Sequence, residues 1–420
     1  MKVAHILRKY NPAQWGGTET AIKRLLDGLT HHQVKTVVYS PKLEKEAQSD
    51  PLGAAGYPVK RFKAHVPVWG IPEEQKQRLV SVGGNLMSFD LLPALWKEDS
   101  LDLIHTHTHN RLGGIALSMA KIRKIPLAVT IHGGYLDLPP EVGAFLKEPL
   151  KGGFEWGKIF GILLRSRKVM DEADVVFTCN STEAGLLKKK YPSKQIVFQP
   201  HGVPADDYKK DCKAAALQAF PQVQGKRMLI CVGRLDDVKN QRWVLEQFPE
   251  ILRKHPDALL VFAGSVTDAG YGEAIKKRIE ELGLGNKVLL TGGLPPGDPR
   301  LIGLFQLSEV VLLPSKSETF GLIIVEAWAS GRTVISSRTS GAMEMIKPGE
   351  NGWLFDLGKP NEFQEAVSAA LDRPELNREY ARNGEGIVRE RFDTNVLGGR
   401  VKKVYENVIE NRKRHGRACK

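Results

Sequence analysis

Short apolar runs recur along this chain and alternate with longer segments in which the apolar residues follow a helical spacing. A strand buried in a parallel sheet is a short and nearly continuous apolar run, so this alternation predicts parallel sheets covered by helices. The first half contains the predicted strands Val3–Leu7, Thr36–Tyr39, Val59–Phe62, Leu103–His105, Leu127–Ile131, Val175–Thr178 and Ile196–Phe198. The second half contains Met228–Val232, Leu259–Ala263, Val288–Leu290, Val310–Leu313, Val334–Ser336 and Trp353–Phe355.

A segment rich in proline and glycine, Pro200-His-Gly-Val-Pro204, interrupts the alternation, and a new series of strands begins near Arg227. The 420 residues are enough for two packed domains. We predict an α/β chain with a Rossmann-like domain over residues 1–203, a second one over 204–394 and a terminal helix over 395–420. In doubly wound sheets ligands bind at the carboxyl ends of strands, so the residues that follow the strands are the candidate site residues.

The net charge of +13 favours anionic partners such as nucleotides. No zinc-finger spacing and no RNA-recognition strand motif occurs, so we expect no nucleic-acid partner. The four cysteines show no C-x-x-C spacing, which suits a reducing compartment and argues against a zinc ribbon. No run of about 18 apolar residues is present. The amino terminus resembles a first strand more than a signal peptide, and we therefore expect a cytoplasmic protein.

Two glutamates, Glu318 and Glu326, follow the predicted strand Val310–Leu313. Glu318 falls on the turn at the carboxyl end of this strand, and Glu326 falls about two turns into the next helix, roughly 8–10 Å along its axis. The N–H groups of Phe320–Leu322 between them are predicted to be helix-start donors, which favour phosphate. The order of carboxylate, N–H groups and second carboxylate matches the sugar hydroxyl, the diphosphate and the ribose hydroxyl of a sugar nucleotide. The alternative is a helix cap followed by a solvated helix residue.

A second motif, Gly233-Arg234-Leu-Asp-Asp-Val-Lys239, directly follows the strand Met228–Val232. Gly233 permits a tight turn, and two cations at a strand end can clamp a diphosphate, Arg234 as a planar fork and Lys239 as a point charge. Two surface cations without a ligand are the alternative interpretation.

The first half contains weaker signals. Gly16-Gly17 follows the first strand and precedes a helix, where small residues allow a ligand to approach the backbone. His132, followed by Gly133-Gly134, ends another strand and could orient a sugar hydroxyl. A flexible loop and a structural histidine are the alternatives.

The run His105-Thr-His107-Thr-His109 places three histidines at alternate positions. On an extended strand their rings would share one side and could bind zinc or iron. No set of acidic residues nearby completes such a site, so acceptor binding and a structural role stay open as well.

Together these motifs resemble those of retaining glycosyltransferases of family 4. The stretch from Glu318 to Glu326 resembles the family's E-x7-E motif, and Gly233-Arg234 with Lys239 resembles its G-R-L-x-x-x-K pattern. The resemblance spans most of the chain and implies a GT-B-like fold, two Rossmann-type doubly wound parallel-sheet domains facing across a cleft. It also implies transfer of a sugar from a nucleotide diphosphate sugar to an acceptor hydroxyl, with retention at the anomeric carbon.

The resemblance also implies a role for each matching residue. The catalytic residues would be Glu318, His132, Arg234 and Lys239. The donor-binding residues would be Gly16, Gly17, Gly233, Thr319, Phe320, Gly321, Leu322, Glu326 and Gly292. The residues on the acceptor side would be His107 and His109. Ser340-Gly341-Ala-Met-Glu344 lacks the first glycine of the family's G-G-x-x-E motif, which leaves the fine shape of the nucleotide pocket open.

No D-x-D triplet occurs, the motif with which other glycosyltransferases hold a divalent metal. We therefore expect a metal-independent enzyme without a cofactor, in which fixed cations and helix-start N–H groups neutralise the diphosphate. A UDP-sugar is the first expectation for the donor and GDP-mannose the second. The acceptor would be a carbohydrate, a lipid-linked molecule or another small molecule. The apolar stretch Val66–Ile71 and the basic surface are compatible with a peripheral contact at the inner membrane face.

Three other functions stay open. They are a sugar-nucleotide epimerase or phosphorylase of similar architecture, a metal hydrolase using His105, His107 and His109, and a sugar-nucleotide binding protein without activity. The oligomeric state is not predicted.

Overall fold

The computed structural model of the chain describes residues 1–12, 15–43, 50–82, 86–133, 135–136 and 154–418. Gly134 of the predicted histidine turn and the cysteine at position 419 lie outside these residues. The chain forms two compact units. Unit 1 comprises Met1–Pro200 and Leu397–Lys420, and unit 2 comprises His201–Val396.

Unit 1 is built on a parallel sheet. Its strands are β1 (Lys2–Ile6), β2 (Lys35–Pro41), β3 (Val59–Phe62), β4 (Leu103–Thr106), β5 (Leu127–Ile131), β6 (Val175–Thr178) and β7 (Gln195–Phe198). The seven strands lie in the order β3-β2-β1-β4-β5-β6-β7. The chain winds outward in one direction from β1 and in the other from β4, so the order reverses between these two neighbours. In doubly wound sheets such a reversal is where ligands bind.

Helices accompany these strands in sequence. Those described before residue 200 are α1 (Gly17–His31), α2 (Pro51–Ala54), α3 (Glu73–Val82), α4 (Leu91–Trp96), α5 (Arg111–Arg123), α6 (Lys158–Leu163), α7 (Val169–Glu172) and α8 (Ser181–Lys190), with a 3-10 turn at Ser166–Lys168.

Unit 2 repeats the design with six parallel strands. They are β8 (Arg227–Val232), β9 (Ala258–Ala263), β10 (Val288–Gly292), β11 (Ser308–Leu313), β12 (Thr333–Ser337) and β13 (Trp353–Phe355). Their order is β10-β9-β8-β11-β12-β13, which reverses between β8 and β11.

The helices of the second half complete the chain. They are α9 (Ala205–Lys209), α10 (Lys213–Ala219), α11 (Gln241–Lys254), α12 (Ala269–Glu281), α13 (Pro299–Leu307), α14 (Leu322–Ala329), α15 (Ser340–Met345), α16 (Pro360–Asp372), α17 (Pro374–Ile387) and α18 (Thr394–Ala418), with a 3-10 turn at Pro221–Val223 and a π-helical turn at Val388–Phe392.

The last helix, α18, packs on unit 1 from Leu397 onward. Val401 and Tyr405 are buried in one apolar cluster with Val3 of β1 and Phe177 of β6. Burial of this apolar face stabilises α18 more than its helix propensity does, because most helical stability in proteins comes from tertiary packing.

The thirteen predicted strands are confirmed, with each end within two residues of the prediction. The clearest cases are the strands buried on both faces, since every residue of β5, β6 and β9 is buried. A strand of this kind needs an unbroken apolar run, which the sequence displays directly. Within the described part of the chain, no helix is both long enough and apolar enough to cross a bilayer.

Candidate active site

The two motifs of unit 2 meet at the carboxyl ends of β8 and β11, the neighbours between which the strand order reverses. Asn240 Nδ2 donates a hydrogen bond of 3.1 Å to the carbonyl oxygen of Pro314. The backbone N–H of Lys316 donates another, of 2.8 Å, to the carbonyl oxygen of Val238. These two bonds tie the loop after β8 to the loop after β11 and hold the two motifs side by side.

Lys239 and Glu318 form an ion pair across these loops. Lys239 Nζ lies 2.5 Å from Glu318 Oε2, and the two side chains are 22% and 18% exposed. The N–H of Lys239 also donates to Asp236 Oδ1 at 2.9 Å, which fixes the backbone of the loop. Lys239 and Glu318, which the sequence placed in separate motifs, are therefore in direct contact at a site that is partly exposed to solvent.

Arg234 lies at the start of the same loop but is more exposed than Lys239. Its side chain is 55% exposed and makes a 3.1 Å ion pair with Asp236. Gly233 before it has a φ of 142°, in the region that favours glycine. A Cβ atom added at Gly264 would lie 1.9 Å from the carbonyl oxygen of Gly233, so the turn packs directly on the end of β9. The base of this turn is fixed, and the guanidinium faces solvent.

The loop that carries Glu318 is held from its other side. The carbonyl oxygen of Glu318 accepts hydrogen bonds from the N–H of Gly341 at 2.9 Å and from Ser340 Oγ at 3.2 Å. Gly321, with a φ of 90°, then caps α14, which begins at Leu322. The unpaired N–H groups at the helix start therefore begin near Gly321 and Leu322. The N–H group of Phe320, which was predicted to be one of them, lies before the helix cap. Thr319 is partly buried beside Glu318.

The predicted depth of Glu326 is wrong. It is the fifth residue of α14 and lies about one turn into the helix, because Gly321 delays the start of the helix. Glu326 is also 3% exposed, so it is not a solvated helix residue.

Gly292 lies apart from the ion pair. It ends β10, is exposed and has a φ of 74°. Because β9 lies between β10 and β8, the structure puts Gly292 at the same edge of the sheet but not beside Lys239 or Glu318.

In unit 1, Gly16 caps α1 and Gly17 is the first residue of that helix. The N–H of Gly16 donates to Glu19 Oε2 at 3.1 Å, and Glu19 is 8% exposed. A carboxylate of the chain itself already lies at this helix start. An approaching phosphate would meet that negative charge, which the glycine pattern alone does not reveal.

His132 belongs to a row of three imidazoles at the carboxyl ends of β1, β4 and β5. His5 Nδ1 lies 3.1 Å from His107 Nε2, and His107 Nδ1 lies 2.8 Å from His132 Nε2. Burial lowers the pKa of His5 to about 3 and the pKa of His132 to about 4. Both rings are therefore neutral at neutral pH.

His105 has a separate role. Its Nδ1 lies 2.5 Å from Tyr405 Oη on α18, and its Nε2 lies 2.6 Å from Thr130 Oγ1 on β5. Burial also lowers the pKa of His105 well below its usual value. His105 thus links β4 to α18 through Nδ1 and to β5 through Nε2.

The structure does not bring together His105, His107 and His109, the three histidines of the alternative metal site. β4 ends at Thr106, so the alternation stops before His109, whose ring packs against Tyr135 at 4.8 Å between centroids. In the described part of the chain, the group of three possible metal ligands whose ligand atoms all lie within 4.8 Å of one another is His5, His105 and His107. Of these, His105 already has both ring nitrogens in hydrogen bonds.

The comparison with protein families decides the identity. Residues 15–207 match the model described as Glycosyltransferase Family 4, and residues 214–386 match the model described as Glycosyl transferases group 1. The chain belongs to the family 4 glycosyltransferases. The second match contains Arg234, Lys239, Glu318 and Glu326, and the first contains Gly16, Gly17 and the row from His107 to His132.

Individual relatives of this family 4 glycosyltransferase are distant. A D-inositol 3-phosphate glycosyltransferase of Segniliparus rotundus is 27% identical over 225 residues, 53% of this chain and 50% of the relative. An uncharacterized glycosyltransferase of Methanocaldococcus jannaschii is 24% identical over 433 residues, 98% of this chain and 99% of the relative. The chain spans 50%, 57% and 60% of the length of three D-inositol 3-phosphate glycosyltransferases that it matches.

Two solved structures extend the comparison to the fold. HepE of Anabaena in complex with UDP has a TM-score of 0.73 at 19% identity, and the match covers 97% of this chain and 100% of the HepE chain. Sucrose-phosphate synthase of Thermosynechococcus elongatus has a TM-score of 0.72 at 19% identity, and the match covers 98% of this chain and 99% of the synthase chain. This similarity confirms the predicted GT-B-like class of fold.

Sequence reasoning missed His5. The residue pairs with His105 in the register of β1 and β4, and its ring contacts His107. A histidine inside the first strand was a visible signal, but its significance depends on which strand lies beside β1. A single sequence does not state that neighbour.

Proposed function

We propose that this family 4 glycosyltransferase moves a sugar from a nucleotide diphosphate sugar to an acceptor hydroxyl, with retention at the anomeric carbon. The observation that carries the proposal is the Lys239–Glu318 ion pair at the reversal between β8 and β11. It lies inside the stretch that matches the glycosyl transferase model, and it supplies a cation for a diphosphate next to an acceptor of hydroxyl hydrogen bonds.

Each group has a role that follows from its charge. Lys239 and Arg234 would bind the diphosphate, and the N–H groups at the start of α14 would add stabilisation as charge develops on the leaving group. Glu318, released from Lys239 by the phosphate, would accept hydrogen bonds from sugar hydroxyls. Glu326 would hold the ribose. His132 would orient the sugar.

The reaction that fits these groups is a displacement on one face of the sugar. The acceptor oxygen forms a bond to the anomeric carbon while the bond from that carbon to the β-phosphate oxygen breaks. The proton of the acceptor hydroxyl passes to the leaving phosphate oxygen. Exclusion of water from the site during the reaction would limit hydrolysis of the donor.

We propose further that no metal ion is required, since two fixed cations and a helix start supply the positive charge that a metal would otherwise provide. Transfer measured after treatment with a chelator, with and without added Mg²⁺, tests this. Activity that disappears with the chelator and returns with Mg²⁺ contradicts it.

For the donor we propose a UDP-sugar first and GDP-mannose second. The complex of HepE with UDP supports this order. A thermal-shift panel of UDP, GDP, ADP and their sugars tests it, because a ligand that binds only the native state raises the melting temperature. The largest shift with UDP is the expected result. Product analysis with and without a carbohydrate, lipid-linked or small-molecule acceptor then separates transfer from epimerisation, phosphorolysis and binding without turnover.

We also propose a cytoplasmic location with a peripheral contact at an anionic membrane face. Of the predicted apolar stretch, Val68 and Ile71 are buried, but Trp69 is 65% exposed. Trp69 stacks on Phe154, which is 68% exposed. The apolar side chains that α6 exposes nearby are Ile159, Ile162 and Leu163, and the exposed cations that follow are Arg165, Arg167 and Lys168.

Aromatic and aliphatic side chains next to cations match a bilayer interface with acidic head groups. Co-sedimentation with vesicles of phosphatidylglycerol and phosphatidylcholine tests this contact. Trp69→Ala should reduce the bound fraction, and Trp96→Ala is the control, since Trp96 is 60% exposed on α4. Equal loss in both variants, or no binding by the unchanged chain, contradicts the proposal.

A further inference from the structure

Asp236 places its carboxylate between the two residues whose cations are proposed to bind the diphosphate. Its Oδ1 accepts a 2.9 Å hydrogen bond from the backbone N–H of Lys239, and its Oδ2 lies 3.1 Å from Nη2 of Arg234. The proposed reaction assigns no role to Asp236. The inference below rests on the proposed diphosphate site and concerns how that site releases its ligand.

Positive and negative groups alternate across the two loops of this site. Arg234 pairs with Asp236, and Lys239 pairs with Glu318 on the neighbouring loop. Each cation that a phosphate would use therefore already contacts a carboxylate of the chain. A diphosphate that binds here must take the place of carboxylate oxygens, and it is repelled by those that stay close to it.

The carboxylate of Asp236 is firmly anchored. Its side chain is only 15% exposed, and its Oδ1 is bonded to the backbone N–H of Lys239. The carbonyl oxygen of Asp236 accepts a second bond, of 3.1 Å, from the N–H of Asn240. These two bonds close one turn of backbone, with the Asp236 side chain as its cap. A phosphate that took Arg234 from Asp236 would leave this carboxylate in place, because neither bond depends on the guanidinium.

We infer that Asp236 is a fixed counter-ion of the diphosphate site, which lowers the affinity of the site for nucleoside diphosphate and thereby speeds release of that product after sugar transfer. Asp236 is a positioning residue, since it acts through Arg234 and through the backbone of Lys239. Its carboxylate takes back the guanidinium as the phosphate leaves. The effect on affinity is about three- to tenfold, because Arg234 is 55% exposed and partly solvated ion pairs are weak.

The alternative is that Asp236 only caps the turn. Asp236→Asn separates the two roles, because asparagine caps as well as aspartate does but carries no charge. Asp237→Asn is the matched control, since it removes the same charge from the next residue, whose side chain is 72% exposed and pairs with Lys316. Asp236→Ala removes both the cap and the charge.

Isothermal titration calorimetry of the full chain with UDP, or with the nucleoside diphosphate that the thermal-shift panel favours, measures the effect on affinity. The dissociation constant of Asp236→Asn should fall by about three- to tenfold, and that of Asp237→Asn should stay within about twofold of the unchanged chain. Asp236→Ala should bind more weakly than Asp236→Asn, because the turn that carries Lys239 is no longer capped.

Equal or weaker binding by Asp236→Asn overturns the inference. An equal gain in Asp237→Asn also overturns it, because net charge alone would then explain the change. In both cases the unchanged chain still binds the nucleotide, and the proposed transfer reaction stands. An unchanged chain that binds no nucleoside diphosphate overturns the proposed donor site together with this inference.

The role in release has a readout that a purely structural residue would not move. Stopped-flow displacement of a fluorescent analogue of the same nucleotide gives the dissociation rate constant. In Asp236→Asn this rate should fall by the same factor as the dissociation constant, with association little changed. The constant for product inhibition of transfer should fall with it. A gain in affinity that comes from faster association alone overturns the role of Asp236 in release.

Discussion

The carboxyl ends of β1 and β4 in unit 1 and of β8 and β11 in unit 2 are topologically equivalent, yet they carry groups of different electrostatic character. In unit 2 the groups are an ammonium and a carboxylate, 22% and 18% exposed. In unit 1 they are imidazoles, of which His5 and His105 are buried, with pKa values lowered by burial. The same fold position thus bears a charged site in one unit and a neutral site in the other.

The difference follows from what each environment permits. A charge that loses its solvent must be paired or it is neutralised by a shift of its pKa, and imidazoles accept that shift easily. Ions that remain partly solvated keep their charge and can exchange partners. The unit 2 site is therefore suited to an anion that arrives from water, and the unit 1 site is suited to an uncharged hydroxyl.

The largest effect is expected from Glu318→Gln. The amide keeps the shape but donates where the carboxylate accepts, so transfer should fall by more than about a hundredfold. Steady-state kinetics measure this, with circular dichroism to show an intact fold. Glu375→Gln, at an exposed glutamate of α17, is the control and should stay active. Turnover near that of the unchanged enzyme would refute the role of Glu318.

Lys239→Ala should weaken binding of the nucleoside diphosphate by about ten- to a hundredfold, because a charge-assisted hydrogen bond to phosphate is lost. Isothermal titration calorimetry measures the dissociation constant. Lys316→Ala is a matched control in the neighbouring loop, since Lys316 is 49% exposed and pairs with Asp237. Equal losses in both variants would show that only net charge matters.

Gly264→Ala should destabilise the chain by about 2 kcal/mol, because the added methyl would overlap the carbonyl oxygen of Gly233. Chemical denaturation measures the loss, and donor affinity should fall with it as the turn before Arg234 moves. Gly285→Ala, where a Cβ meets nothing within 4 Å, should stay within about 0.5 kcal/mol. An unchanged denaturation midpoint for Gly264→Ala would show that the turn at Gly233 accommodates the added methyl group without loss of stability.

The last prediction concerns the pH dependence of stability. The pKa of His5 is lowered from 6.5 to about 3 and that of His132 to about 4, so between about pH 6 and pH 5 the unfolded chain binds protons that the native chain does not. The free energy of unfolding should therefore fall with falling pH, by about 1.4 kcal/mol per pH unit for each such histidine. His5→Leu should reduce this slope by about 1.4 kcal/mol per pH unit, the contribution of one proton. An equal slope in both chains would contradict the lowered pKa of His5.

Strands such as β5 and β9 could be predicted closely because burial on both faces leaves an unbroken apolar run in the sequence. Helix starts were harder. Gly321 permits a conformation that delays α14, and this moved Glu326 by about a turn from its expected depth. Local periodicity does not record such a delay.

The predicted residues of unit 2 came from motifs that each follow a strand, and the order of the strands brings Lys239 to Glu318. In unit 1, sequence spacing grouped His109 with His107, whereas β4 ends too early for that. It also missed His5, because contacts between neighbouring strands depend on register, which one sequence does not contain.

The most direct measurement is a crystal structure of the full chain with the nucleoside diphosphate that raises its melting temperature most. The account predicts a phosphate oxygen within hydrogen-bond distance of Lys239 Nζ, with Glu318 released and a ribose hydroxyl on Glu326. A bound nucleotide elsewhere, with the Lys239–Glu318 pair still closed at 2.5 Å, would contradict it.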